Sequence, residues 1–198
     1  MKINYTFMKK LLIAFVFLFF VTTVLIASGN KRFNSQHFEV GQKIDSLHGI
    51  YVYYNGDMDN VSGRNMHNGY NLGLKYQCVE YVKRYYYWHY NHKMPNSYGH
   101  AKDFFQSELK DGELNKDRNL SQYTNQSTSK PEIGDLIVFD GNVFNPYGHV
   151  AIVSKVSNDE IEIIQQNVGT TTRENYTLKK QSNKWYINDS AILGWLRK

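Results

Sequence analysis

Two runs of nine residues, GHVAIVSKV (148–156) and EIEIIQQNV (160–168), flank the turn-forming triplet Ser157-Asn158-Asp159. Both are rich in β-branched residues and are separated by little more than a turn, so they can scarcely fold as anything but an antiparallel hairpin. With a loop of two or three residues, paired numbers sum to about 315 or 316. That register sets His149 across from Gln166 or Asn167, within a residue of Gln165. A polar QQN cluster then faces a histidine at the mouth of otherwise apolar strands, the kind of rigid edge on which a site can be built.

The hairpin has company. PEIGDLIVF (131–139) reads as a turn followed by a buried strand, GIYVYYNG (49–56) as a strand closed by Asn-Gly, and KWYINDSAILGWLRK (184–198) as one or two more. Residues 57–73, rich in Asn, Gly, Ser and Asp, read as a long surface loop, and 110–130 as an irregular excursion. A helix is expected from Cys78 onward, with Val82, Tyr85 and His89 on the face of Cys78 and Tyr81 and Trp88 beside it. A second short helix is expected over 101–109. Helix first and antiparallel strands later make the class α+β.

At the N-terminus, MKINYTFMKK precedes the apolar run Leu11–Ala27 and the small residues Ser28 and Gly29. The basic flank and uninterrupted apolar run predict an export signal over 1–29, either cleaved or kept as a membrane anchor. Residues 30–45 read as a linker and 46–198 as one domain, expected to be a monomer. Of the net charge of +5, Lys2, Lys9 and Lys10 supply three, which leaves about +2 for the domain. No stripe of Lys or Arg forms, so a nucleic-acid partner is not expected.

Cys78 is the only cysteine. An exported chain with one cysteine has no intramolecular disulfide, so the residue is an apolar filler, an intermolecular link or a reactive thiol. At the first turn of a helix and beside an imidazole, a thiol is expected to become more acidic and to act as a nucleophile on a carbonyl. His149 would move the proton, and a third group would fix its tautomer. Gln77 or the Cys78 amide can donate to a developing oxyanion. His89, His92 and His100 lack a partner set and read as surface residues, so neither a metal nor another cofactor is expected.

The blocks LKYQCVEYVKRY, PEIGDLIVF, GHVAIVSKV, IIQQNV and ILGWL, in this order and spacing, resemble the CHAP family of cysteine, histidine-dependent amidohydrolases and peptidases. The likeness is greatest to the amidase subgroup of glutathionylspermidine synthetase/amidases, and runs from about Gly49 to Leu196. It implies a papain-like α+β fold, with a helix carrying the cysteine packed on an antiparallel sheet carrying the histidine. The family's nucleophile falls on Cys78, its base on His149, its third residue on Gln165 and an assisting asparagine on Asn167. The chain departs from the family pattern at Gln165, where Glu is usual, and at Lys83, where the subgroup commonly has Arg. Glu80, Lys83 and Tyr147 are candidate substrate contacts. Together with the export signal, the resemblance implies a thiol amidase acting on peptidoglycan; a small glutathionyl-polyamine conjugate as substrate and a weakly catalytic wall-binding module are the alternatives.

Overall fold

The computed structural model describes residues 37–198, and Phe38–Lys198 form one compact unit. The apolar run Leu11–Ala27, expected to target or anchor the chain, lies outside the described residues. Among the described residues no helix is long and apolar enough to cross a membrane.

Twelve strands and one α-helix are described: β1 (Lys43–Leu47), β2 (Ile50–Tyr53), β3 (Arg64–His67), β4 (Tyr70–Leu74), α1 (Cys78–Tyr90), β5 (Leu114–Asn115), β6 (Leu120–Thr124), β7 (Leu136–Phe139), β8 (His149–Val156), β9 (Glu160–Ile164), β10 (Arg173–Gln181), β11 (Lys184–Ile187) and β12 (Ile192–Arg197). The main sheet has eight strands in the order β11-β10-β9-β8-β7-β12-β6-β5, and every recorded neighbour pair in it is antiparallel. The class is α+β, as the order of elements implied.

Strand alternation gives the sheet two apolar faces. Leu136, Val138, Val150, Ile152, Ile164 and Leu196 pack with Cys78, Tyr81, Val82, Tyr85 and Tyr86 of α1. Ile137, Phe139, Ala151, Val153, Ile163 and Trp195 form a second core with Leu178 and Ile187. The buried helical residues recur at i, i+3, i+4, i+7 and i+8, the spacing of a single stripe. Trp88 and His89 fall off it: both are exposed, contrary to their expected place on or beside the buried face.

Several stretches that look irregular in the sequence are ordered. Residues 64–74 form the β3–β4 hairpin, with a two-residue turn at Asn68-Gly69, both at positive φ. The excursion 110–130 contributes β5 and β6, and β6 pairs with β12 from Ser121 to Thr124. β1 starts at Lys43, within the stretch read as linker. The expected second helix shrinks to a 3-10 turn at Lys102–Phe104.

The hairpin that opened the sequence forms with a longer turn than its spacing suggested. Ser157 N–H donates to Glu160 O at 2.8 Å, and the pairing passes from Ile152↔Ile164 and Val153↔Ile163 to Lys155↔Glu162 through a bulge at Ser154. Pairing therefore stops at Ile164. His149 pairs instead with Phe139 of β7, and QQN leaves the ladder just beyond it.

Candidate active site

Cys78 is the first residue of α1, and Gln77 is its N-cap in extended conformation, with no side-chain cap. Tyr81 N–H makes the first intrahelical bond, to Gln77 O at 3.2 Å. An uncapped helix start leaves main-chain donors free. At Cys78 the sulfur takes them up: the amides of Val79 and of Cys78 itself lie against it, as does that of Val150, one residue beyond His149. These donors favour the thiolate, yet burial outweighs them and pushes the Cys78 thiol up. The acidic thiol expected from the helix dipole is thus corrected, because only 9% of the residue meets solvent.

His149 Nε2 and Gln165 Oε1 are 2.9 Å apart. An amide oxygen only accepts, so Nε2 carries the hydrogen and Nδ1 keeps a lone pair. Burial pushes the imidazole down to about 4, against the upward pull of the Gln165 bond. Both groups are therefore neutral at pH 7, and no hydrogen bond joins their side chains directly among the described residues. Their nearness comes through the main chain, from the Val150 amide to the sulfur. Gly148 sets the entry to β8: its φ is +73°, and a Cβ there would lie 2.5 Å from Phe139 O.

Gln77 is fully engaged. Its Nε2 donates to Asn60 O at 2.9 Å and Met58 O at 3.2 Å, and its Oε1 accepts from Asn167 Nδ2 at 2.6 Å. The side-chain oxyanion donor expected there is spent on the loop; the Cys78 amide remains beside the sulfur. Asn167, at φ +70°, touches Gln77, Met58 and Asn55, and shapes the cysteine side of the site.

Two expected substrate contacts are corrected. Glu80 is 2% exposed and bonds Arg84, Asn65 and Gln166, so it is part of a closed buried network under the helix start. Lys83 is fully buried and donates to the carbonyls of Asn71 and Ser97. It ties β4 to the chain beyond the helix, and burial pushes its ammonium down to about 7. Tyr147 is exposed and packs on His100 at 4.7 Å, on the segment leading into His149. His92, read as a surface residue, is buried against Arg118 O at 2.8 Å. Among the described residues no group of three His, Cys, Asp or Glu side chains is placed to hold a metal ion.

Sequence reasoning missed Arg84 and Gln166. The first was visible as the i+4 partner of Glu80. Gln166 donates to Gln77 O and Glu80 and accepts from Tyr53 N–H, a role its identical neighbour conceals.

A family model described as the CHAP domain matches residues 67–167, about half of the chain. The bifunctional glutathionylspermidine synthetase/amidase of Escherichia coli (strain K12) is 29% identical over 143 residues, 63% of this chain and 22% of that protein. Trypanothione synthetase of Crithidia fasciculata is 30% identical over 139 residues, 63% of this chain and 21% of its own. The chain thus spans about a fifth of the length of these curated relatives. A solved structure of Ly7917 with the hydrolysing product of MDP is 28% identical over 36% of this chain and 29% of its own, at a TM-score of 0.25, an overlap too small to bear on the fold.

Proposed function

We propose, because the chain belongs to the CHAP domain family, that it is a thiol-dependent amidase with Cys78 as nucleophile and His149 as general base. The observation that carries this reading is the sulfur at an uncapped helix start, held by the amide next to an imidazole whose Nε2 is tied to Gln165. The pair starts neutral. Cys78 gives its proton to His149 Nδ1 as the sulfur attacks the substrate carbonyl carbon. The Cys78 amide, released from the sulfur, donates to the new oxyanion. His149 returns the proton to the leaving amine, and water then hydrolyses the thioester with the same base. Gln165 fixes the ring without adding charge, and Gln77 with Asn167 holds the adjoining loop.

The substrate we assign is peptidoglycan, met outside the cytoplasm, and the ground for this is the Lys-flanked apolar run Leu11–Ala27. Residues 30–198 incubated with purified sacculi should release soluble fragments with new amino termini, and Cys78→Ala should release none. Folded protein with an alkylatable Cys78 that releases nothing would overturn the peptidoglycan assignment. The second reading rests on the 29% identity to a synthetase/amidase named for glutathionylspermidine. Release of free spermidine from that conjugate, without release from sacculi, would favour it.

A further inference from the structure

Gln165 does two things at once. Its oxygen accepts from His149, and its Nε2 reaches Thr171 O at 3.5 Å and Glu174 Oε2 at 3.4 Å. Its own backbone N–H donates to Thr172 O at 2.9 Å, which pins the residue against the start of β10. Gln165 is 2% exposed, so its amide must be satisfied by these partners. Turned by 180°, the amide would set its oxygen against the Thr171 carbonyl and the Glu174 carboxylate, acceptor facing acceptor, and its NH2 against His149. The ring would then have to accept at Nε2 and carry its hydrogen on Nδ1.

We propose that Glu174 is a positioning residue for the site: its carboxylate holds the Gln165 amide in one orientation, and through it the His149 tautomer that leaves Nδ1 free. This rests on the reading of Cys78 and His149 as nucleophile and base. A neutral residue stands beside the histidine, and the carboxylate is displaced outward by one side chain. Tyr176, two residues along the same strand, bonds the Glu174 carboxylate through its hydroxyl. Arg173 does not compete for it, since its guanidinium is engaged by Asp45 and Glu162.

The test uses Glu174→Val and Glu174→Gln, alone and with Gln165→Glu, at pH 7 with unchanged melting temperature required of each. In the wild type, ring-nitrogen NMR of His149 should show the hydrogen on Nε2. E174V should mix the tautomers and slow iodoacetamide alkylation of Cys78 about fivefold, with kcat lowered and KM unchanged. E174Q, which retains an acceptor oxygen, should recover most of the loss. Beside Q165E the sign should invert: Glu174 becomes a like charge next to the new carboxylate, and E174V should speed alkylation. Unchanged tautomers in E174V, or the same direction of effect in both backgrounds, would overturn the proposal. The NMR and alkylation readouts need no substrate, so a protein that shows them but cleaves no amide would sink the amidase reading and leave the positioning role standing.

Discussion

Two adjacent glutamines, Gln165 and Gln166, serve regions built on opposite principles. Gln166 belongs to a charged network under the start of α1. There Glu80 and Arg84 meet at 2.6 Å, and the guanidinium also reaches Tyr51 O and lies over the rings of Tyr53 and Tyr81. Gln165 belongs to the candidate site, where thiol, imidazole and amide are all neutral at rest. Charge is concentrated where every polar atom is partnered and nothing has to move. It is kept out of the place where a proton has to change hands. A buried ion pair contributes little net stability when whole and costs much when halved, so it suits a buttress. A neutral pair can transfer a proton without first breaking a strong attraction.

That contrast predicts separable failures. The largest is Cys78→Ala, which should lower kcat/KM by at least about 10³-fold while thermal stability barely changes, since one sulfur at the edge of the core is lost. Hydrolysis of a chromogenic amide beside a melting curve would check it, and residual activity within tenfold would break the assignment. Glu80→Ala should do the reverse. It strands a buried guanidinium and unpairs Asn65 and Gln166, for a loss of about 3–5 kcal/mol in urea unfolding. A loss below 1 kcal/mol would show that the network is not the buttress described.

Gly148→Ala comes next and joins the two regions. A side chain there needs a left-handed backbone and meets Phe139 O, so about 1–3 kcal/mol should be lost, and His149 should be displaced with it. Activity should fall further than stability alone explains under conditions where the protein remains folded.

Much of the site was legible because its parts sit at element boundaries that local chemistry marks. A thiol at the head of an aromatic helix, a Gly-His entering a β-branched strand and a polar QQN leaving one are each visible in a short window. The exact register was not, because the Ser154 bulge and the four-residue turn depend on Ser154 Oγ bonding Glu162 and Ser157 Oγ bonding Glu160 O. β6 was hidden because LSQYT lacks an apolar pattern and owes its place to pairing with the distant β12. The roles of Lys83 and Glu80 were hidden for a different reason. A Lys and a Glu in a first turn look like solvent-facing residues until the segments that bury them, 71–97 and the QQN turn, are in position.

The smallest effect is also the one that most sharpens the contrast between neutral site and charged buttress. Gln165→Glu puts a carboxylate 2.9 Å from where an amide oxygen now meets His149 Nε2. An opposite charge favours the imidazolium, so the ring should titrate above its present value of about 4. In the wild type the acid limb of kcat/KM should lie near that value, with activity retained at pH 5; in Q165E it should move upward by about one pH unit. Stability should respond with the matching sign. The folded ring resists protonation relative to the unfolded chain, so the wild type loses stability as pH falls from about 6.5 towards 4. Q165E should narrow that loss, readable in urea midpoints at pH 7 and pH 5 without any substrate. A wild-type limb near 6.5 would mean that His149 is solvated rather than buried in the working enzyme, and that the site is not the charge-free counterpart of the Glu80 network.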